Sequence, residues 1–353
     1  MNVDYIIVGL GLAGTAFAEE LTKQNKSFVV YEDQSQNSSL VAIGMYNPVI
    51  LKRFTPVWNA QEQLRIALPF YKKLEKKLQN SYHQKVDIYR VIKSVEEQNN
   101  WFLASDKILL KDFMSSTIIR NDNKYIHAPF GYGRLEKTGR ITINSLIRDY
   151  KVLLLKKKFL REEKFLYDQI NLKEEGVEYA EIKAKRIVFC EGYGIKQNPY
   201  FNYLPMREAK GELITIHAPD LNVDYLIKAA VFVMPLGNDL YKVGATFNWK
   251  DKTSKPTVAG LQELEKKLNT FISCKYEIID HSAGIRPTIV DRRPLIGVHP
   301  EHKQLAILNG LGTRGVMIAP LMAIQLYQNL EHHVSLDNEV SISRFQQTYL
   351  RNP

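Results

Sequence analysis

Cysteine is scarce in this sequence, and the two cysteines present lie far apart. Cys190 and Cys274 have no metal-ligand spacing, so neither a disulfide framework nor a zinc site is expected, and both are predicted to be buried thiols. No apolar run approaches the roughly 20 residues that a membrane helix requires. The N-terminus lacks the basic segment and the cleavage site of a secretory signal. We therefore expect a cytoplasmic protein without a membrane span.

The composition is that of a globular protein. Of 353 residues, 45% are hydrophobic, 24% are charged and 10% are aromatic, which is enough for one large domain or two interleaved ones. The 14 prolines and 19 glycines are scattered without a period. This distribution excludes disordered and fibrous architectures.

Basic residues outnumber acidic ones, 48 to 38, which gives a formal charge of +10. A basic surface favours anionic partners such as nucleic acid or acidic substrates. The excess is concentrated in short lysine runs on the polar sides of predicted helices, at residues 72–77, 156–158 and 266–267. Solvated helix faces are the favoured interpretation of these runs, and a polyanion footprint is the alternative.

The N-terminal segment has the pattern of a nucleotide-binding βαβ unit. Residues 5–8 are predicted to form a buried parallel strand, and an apolar-periodic helix then runs to about Leu21. Residues 28–31 form a second strand that ends in the pair Glu32-Asp33. The turn between the first strand and the helix has the form GxGxxG, and its predicted cofactor contacts are Gly9, Gly11, Ala13 and Gly14.

Each part of this motif has a physical reason. The first glycine makes the tight turn, the second lets the backbone approach a pyrophosphate, and the third permits close packing of helix on strand. The helix N-terminus then faces the phosphate charge. Glu32 can accept hydrogen bonds from ribose hydroxyls and would repel a 2′-phosphate, which favours FAD or NAD over NADP. The alternative is a glycine-rich turn with Glu32 facing solvent.

A second glycine loop opens a helix about 300 residues after the first. A nucleotide domain for NAD has no obvious use for this loop. A reduced flavin carries negative charge that a helix N-terminus can stabilise, so the loop favours FAD. The alternative is that the glycines serve only close helix packing. The predicted cofactor contacts here are Gly310, Gly312, Thr313, Arg314, Gly315 and Val316.

The rest of the chain alternates between helical and strand-rich parts. Helical spacing at residues 59–78 and 143–155 contrasts with a run of predicted strands at 213–284, which contains a hairpin at 235–239 and one helix at 258–271. We predict an α/β chain with a nucleotide-binding domain in three pieces and a β-rich substrate domain in two. The domain boundaries are 1–50, 135–205 and 287–353 for the first, and 51–134 and 206–286 for the second.

Several motifs follow one another along nearly the whole chain: the Gly9/Gly11/Gly14 loop with Glu32, residues 44–48, Glu191-Gly192, residues 210–213, residues 284–297 and the Gly310 loop. In this order they resemble the FAD-dependent D-amino-acid oxidase superfamily, and the order makes the resemblance specific. This superfamily includes glycine oxidase, sarcosine oxidase and the oxidoreductase half of the bifunctional tRNA 5-methylaminomethyl-2-thiouridine enzyme.

The resemblance implies a glutathione-reductase-type, Rossmann-like FAD domain with an interleaved antiparallel β-sheet and helices for the substrate. It also implies oxidation of a C–N bond by hydride transfer to flavin N5, after which the imine is hydrolysed. Further cofactor contacts are implied at Gly44, Asn47, Glu191 and Gly192. Sarcosine oxidase binds its flavin through a cysteine, and Gly284 stands at the matching position, so the FAD is expected to be non-covalent.

Four residues match catalytic positions of the superfamily. Arg286 falls where glycine oxidase clamps the substrate carboxylate and is expected to contact both cofactor and substrate. The alternative is an ion pair with Asp291 or another acid that holds the strand-to-loop turn. Phe232 stands near a carboxylate-binding tyrosine and has no hydroxyl to donate. Lys242 matches an oxygen-activating lysine, with a lysine that extends from a strand edge as the alternative. Thr246 replaces an active-site histidine.

Four functions are compatible with these features. The leading one is an FAD-dependent oxidoreductase for a small amine or amino acid, with O₂ or another electron acceptor. The alternative is a flavoenzyme acting on a modified tRNA uridine. In that relative a methyltransferase domain precedes the oxidoreductase, whereas the first strand here begins at residue 3, so tRNA is not favoured. The third and fourth functions, a flavin-bound scaffold and a nicotinamide dehydrogenase, have less support from the sequence.

Overall fold

The computed structural model describes residues 1–35 and 38–351. It contains eight helices in that range, apart from short 3₁₀ turns. They are α1 (Leu12–Lys23), α2 (Ser38–Val41), α3 (Ala60–Leu78), α4 (Val95–Ser105), α5 (Ile143–Lys156), α6 (Val258–Leu268), α7 (Gly315–His332) and α8 (Gln346–Arg351).

Twenty-one strands are formed by the described residues. The first seven are β1 (Asn2–Val8), β2 (Phe28–Tyr31), β3 (Met45–Tyr46), β4 (Val49–Ile50), β5 (Thr55–Pro56), β6 (His83–Lys85) and β7 (Ile88–Val91). The next seven are β8 (Met114–Ile119), β9 (Tyr132–Leu135), β10 (Gly139–Ile141), β11 (Leu160–Arg161), β12 (Ile170–Lys173), β13 (Gly176–Tyr179) and β14 (Ile182–Phe189). The last seven are β15 (Met206–His217), β16 (Leu226–Lys228), β17 (Phe232–Gly237), β18 (Leu240–Gly244), β19 (Glu277–Ile289), β20 (Leu295–Val298) and β21 (Leu305–Asn309).

The first large sheet is built on parallel strands. Its order is β11-β2-β1-β14, and β21 pairs with the C-terminal part of β14. These five strands are mutually parallel, while β12 and β13 join β14, and β20 joins β21, in antiparallel fashion. Gly9, Glu32, Glu191 and Gly310 each follow one of the parallel strands. They therefore meet at one edge of the sheet, where open α/β folds bind ligands.

The second large sheet has the order β19-β15-β18-β17-β16-β7-β9-β8. All its pairs are antiparallel except β7 with β16, which run parallel. The hairpin expected at residues 235–239 is confirmed as the β17–β18 turn. One parallel-based sheet and one mainly antiparallel sheet, with helices around them, confirm the predicted α/β class.

Helices fill the space around the first sheet. α1 and α3 both pack against α7. The hydroxyl of Tyr71 on α3 donates a hydrogen bond to the carbonyl of Val316 at 2.9 Å, and both groups are buried. Since Val316 lies in the first turn of α7, this bond holds the start of that helix in place.

Three apolar clusters support the two sheets. The largest joins side chains of both sheets with those of α1, α3, α5 and α7. A second lies on the first sheet around Phe189, and a third packs α6 against the second sheet. Cys190 and Cys274 are buried and unpaired, as predicted. No helix within residues 1–35 and 38–351 is long and apolar enough to cross a bilayer.

Gly44 and Gly192 allow a test of how closely the backbone packs beside the sheet edge. Both have positive φ, +73° and +54°. A β-carbon at Gly44 would lie 1.8 Å from the carbonyl oxygen of Ile141, whereas one at Gly192 meets no atom within 4 Å. We expect Gly192→Ala to lower the free energy of unfolding by about 1 to 2 kcal/mol, the cost of the left-handed backbone alone.

Gly44→Ala is expected to lower the free energy of unfolding by about 2 to 5 kcal/mol, because overpacking adds about 1 to 3 kcal/mol to the cost of the left-handed backbone. Urea unfolding of the two variants beside wild type measures both values. Equal losses would contradict the close approach at Gly44.

Candidate functional site

One large cavity, of about 1400 Å³, lies between the carboxyl edge of the first sheet and one face of the second. Both glycine loops line it. The predicted site residues on its wall are Gly9, Gly11, Ala13, Glu32, Asp33, Gly44, Asn47, Glu191, Gly192, Phe232, Arg286, Gly312, Thr313, Arg314, Gly315 and Val316. Gly14, Lys242, Thr246 and Gly310 do not line it.

The first loop is shaped by close approach of backbone to backbone. A β-carbon at Gly14 would lie 2.0 Å from the carbonyl oxygen of Gly9, so only glycine fits there. Gly14 therefore does not line the cavity itself, but it allows α1 to pack closely against β1. Gly11 is the N-cap of α1 and supplies no side-chain cap. The first turn of α1 thus presents its backbone N–H groups at the cavity.

Glu32 fastens the same loop to the end of β2. Its carboxylate accepts hydrogen bonds from the backbone N–H of Leu10 at 2.5 Å and of Gln34 at 2.6 Å. An acid at this strand end is the acceptor that a ribose hydroxyl requires. The side chain thus shapes the loop and lines the cavity.

The second loop is tied to the first sheet by Asn309. Its amide donates to the carbonyl of Gly192 at 2.9 Å, and its side-chain oxygen accepts from the N–H of Gly310 at 2.7 Å. α7 begins immediately after, with Arg314 as an N-cap that makes no side-chain cap bond. The cavity is therefore lined by two helix N-termini, at opposite ends of the sequence, and neither N-cap side chain caps its own helix.

These features fit a flavin dinucleotide. The first loop has the close backbone approach that a pyrophosphate needs, and no N-cap side chain covers the start of α1. Glu32 provides the ribose acceptor, and the start of α7 provides a positive dipole end for the charge of a reduced flavin. The residues that would hold FAD are the two glycine loops with Glu32.

Arg286 points into the cavity from β19. Its guanidinium lies 4.1 Å from the centre of the Phe247 ring and donates weakly to the carbonyls of Lys210 and Thr246, at 3.5 and 3.3 Å. Among residues 1–35 and 38–351 it has no carboxylate partner. The alternative pairing is wrong, because Asp291 binds Arg344 at 2.8 Å instead. Burial lowers the pKa of Arg286 to about 10.

The wall near Arg286 is apolar. Phe232 lines the cavity, and Leu213 and Gly244 are its neighbours across the sheet. A β-carbon at Gly244 would overlap Leu213 at 2.1 Å and touch Phe232 at 3.0 Å. Phe232 thus provides a shaped apolar surface and no hydrogen bond.

Lys242 and Thr246 are not brought to the cavity. Lys242 shares the sheet face of Phe232, but its ammonium binds the Thr215 hydroxyl at 2.9 Å and Asp280 at 3.0 Å. Thr246 is buried, and its hydroxyl accepts from the N–H of Glu212 at 2.9 Å. The ammonium of Lys242 is thus paired with the Asp280 carboxylate, and the hydroxyl of Thr246 with a backbone N–H. This geometry gives no support to a role of Lys242 in oxygen activation.

Glu191 is a buried acid at the end of β14. Burial raises its pKa to about 7, while hydrogen bonds from Asn198, at 2.9 Å, and from the hydroxyl of Tyr167 act in the opposite direction. The nearby charge of Asp33 adds to the rise. Near neutral pH this carboxyl group is therefore only partly ionised on the cavity wall.

Sequence reasoning missed Lys228, which also lines the cavity. It ends β16, a strand too short to stand out as a periodic pattern. The available signal was alternation, since Leu226 and Lys228 must share one face of a strand and Leu226 is fully buried.

Glu191→Gln is expected to stabilise the protein in alkaline solution. The folded state keeps a proton that the unfolded chain loses between about pH 4.5 and 7, so ionisation destabilises the fold across this window. We expect a gain in unfolding free energy of roughly 1 to 3 kcal/mol at pH 8 and almost none at pH 4.5. Urea unfolding at both pH values measures it, with the exposed Glu175→Gln as control. A gain that does not depend on pH would contradict the raised pKa.

Part of the chain is similar in sequence to known proteins. The family model described as FAD dependent oxidoreductase (DAO) matches residues 159–328. Glycine oxidase of Bacillus subtilis (strain 168) is 26% identical over 147 residues, 40% of this chain and 39% of that protein. The bifunctional tRNA 5-methylaminomethyl-2-thiouridine biosynthesis protein of Marinobacter nauticus is 23% identical over 158 residues, 40% of this chain and 25% of that protein. The matches span less than half of these relatives.

Solved structures extend the similarity over the whole fold. The glycine oxidase of Bacillus cereus ATCC 14579 superposes with a TM-score of 0.77 and 19% identity, covering 94% of this chain and 96% of that one. That of Geobacillus kaustophilus gives 0.78 and 17%, covering 96% and 97%. The family match over residues 159–328 and the shared fold show that this chain is similar to the FAD-dependent oxidoreductases of the DAO family.

Proposed function

We propose that this protein oxidises a C–N bond of a small amine that carries a carboxylate, with non-covalently bound FAD as the two-electron acceptor. The observation that carries the proposal is Arg286, a largely buried guanidinium on the cavity wall with no acidic partner in the described part of the chain. A buried cation of this kind is expected to be neutralised by a ligand. The similarity to glycine oxidases supports the same chemistry.

Arg286 binds the substrate carboxylate through its planar guanidinium, which can donate two parallel hydrogen bonds. Its weak contacts to two carbonyls leave most N–H groups for a carboxylate, which Arg can bind through two parallel hydrogen bonds. The ring of Phe247 below the guanidinium fixes its plane. Gly211 keeps the space clear, since a β-carbon there would lie 2.0 Å from the guanidinium. The carboxylate is thereby held in one orientation.

The apolar wall positions the rest of the substrate. Phe232 and Leu213 line the sheet face between the strands of Arg286 and Lys228, and their side chains provide no polar group. A dry wall strengthens the attraction between Arg286 and the carboxylate, because the local dielectric constant is low. It also directs the carbon next to the amine toward the cofactor loops, since the sheet closes the opposite side.

A modified nucleotide on tRNA is the second candidate, and an exposed aromatic pair favours it. Phe247 and Trp249 are 55% and 46% exposed, with ring centres 6.0 Å apart. Arg207 lies over Trp249 at 5.4 Å, and Phe247 also lines the cavity. Exposed rings beside basic residues are typical of surfaces on which unpaired bases stack. A tRNA-modifying relative supports this candidate.

Anaerobic mixing of the FAD-loaded protein with potential substrates tests the proposal. The panel contains glycine, N-methylglycine, the matching amines without a carboxylate, and bulk tRNA. Loss of the oxidised flavin absorbance is expected with a carboxylate-bearing amine and not with its decarboxylated counterpart. Reduction by tRNA alone would favour the second candidate, and reduction by none of these compounds would overturn the leading one.

Arg286→Ala is expected to lower kcat/KM roughly 10- to 150-fold, mainly through KM. The reason is that a charged hydrogen bond is worth about 1.5 to 3 kcal/mol. The flavin spectrum should stay unchanged. Arg207→Ala is the matched control, because Arg207 also stacks on an aromatic ring at the same sheet but lies outside the cavity wall. Equal kinetics for the two variants, or loss of FAD from Arg286→Ala alone, would contradict the clamp.

Glu32→Ala is expected to weaken FAD binding by about 1.5 to 3 kcal/mol, because it removes a charged acceptor that also shapes the first loop. The recovery of flavin fluorescence on dilution measures the dissociation constant. Glu163→Ala, an exposed acid on the rim of the same cavity, serves as control. An unchanged dissociation constant for Glu32→Ala would contradict its role at the ribose.

A further inference from the structure

Lys228 lies on the cavity wall at the end of β16. It pairs across the sheet with Phe232, and its ammonium lies 5.9 Å from the centre of that ring. The side chain therefore shares the apolar face that would position a substrate. It belongs to the same cavity as Arg286 but to a different part of it.

The ammonium of Lys228 has no hydrogen bond or ion pair to any described residue. The charges around it are mainly positive: Arg90 on β7, Lys93 after it, and Lys267 on α6. Two of these are neutralised elsewhere, because Arg90 binds Glu97 at 2.6 Å and Lys267 binds Glu263 at 2.5 Å. Lys228 is thus the cation in this group that is both mostly buried and without a counter-charge.

This arrangement costs stability in the free protein. Burial, together with the charges of Arg90, Lys267 and Lys93, lowers the pKa of Lys228 to about 8. A buried cation without an acid is unfavourable unless a ligand brings the opposite charge. An anion that enters the cavity would relieve this cost.

Lys228 and Arg286 stand too far apart to share one small carboxylate. Their strands, β16 and β19, are separated in the sheet by β17, β18 and β15. At about 4.8 Å per strand the two strand axes are about 19 Å apart. Even with both side chains extended along the wall, each cation is expected to hold a different anionic group.

We propose that Lys228 forms a second anion subsite in the cavity, so that the substrate is an amine with two separated anionic groups. Arg286 holds the carboxylate next to the amine, and Lys228 holds the distal group, which is a carboxylate or a phosphate. This proposal rests on the proposed function, because it assigns the substrate class of the same site.

The test measures ligand binding rather than turnover. FAD-loaded protein is titrated with straight-chain monocarboxylates, with dicarboxylates of the same length from four to ten carbons, and with the matching phosphonocarboxylates. Perturbation of the flavin absorbance reports each dissociation constant. The variants are Lys228→Met, which keeps the length of the side chain, and Lys266→Met, an exposed lysine on α6 that makes the same change in net charge.

At one or more chain lengths, a compound with two anionic groups is expected to bind wild type and Lys266→Met at least about tenfold more tightly than the monocarboxylate. Lys228→Met should lose this advantage and keep the monocarboxylate affinity. In wild type the advantage should be full below pH 8 and decline above it, as Lys228 loses its proton. The preference between dicarboxylates and phosphonocarboxylates identifies the distal group.

Equal affinities for one and two anionic groups at every length would overturn the subsite, as would an advantage that survives in Lys228→Met. Thermal unfolding provides a check on folding, because Lys228→Met removes an unpaired buried charge and should melt at or above the wild-type temperature. A binding advantage without flavin reduction by any amine would instead support the subsite and reject the proposed reaction.

Discussion

The carbonyl oxygen of Gly9 lies where any side chain at position 14 would place its β-carbon, 2.0 Å away. This close approach lets α1 sit directly against β1 and brings its N-terminus to the edge where the parallel strands end. Glu32, Glu191 and Gly310 reach the same edge because β2, β14 and β21 run parallel to β1. The cavity depends on this alignment, since its cofactor half consists of the loops that follow those strands.

The cofactor half could be predicted from sequence because its chemistry is local. A glycine motif between a strand and a helix encodes the loop, and Glu32 follows the next strand within the same short segment. The substrate half depends on contacts between distant strands. Lys242 has the right residue type in the right strand, yet Asp280, on another strand of the sheet, binds its ammonium. Lys228 was missed because only the pairing of β16 with β7 and β17 brings it to the wall.

Three ionisable groups on the cavity wall are held in unfavourable environments. Arg286 and Lys228 are partly buried cations without acidic partners within the described residues, and Glu191 is a buried acid with a pKa of about 7. Each lowers the stability of the free protein, and each is poised to interact with a ligand of complementary charge or protonation. Charges elsewhere, such as Asp291 with Arg344, are paired and serve the fold. This contrast supports the proposal that the cavity groups bind ligands, whereas the paired charges stabilise the fold.

The central proposal is that the two glycine loops hold FAD through hydrogen bonds and helix dipoles without a covalent link. Acid precipitation of the purified protein, followed by chromatography of the supernatant, tests it most directly. The account predicts a yellow protein, stoichiometric FAD in the supernatant and a colourless pellet. A pellet that remains yellow would contradict non-covalent binding, and a protein that contains no flavin and cannot be reconstituted with FAD would contradict the cofactor itself.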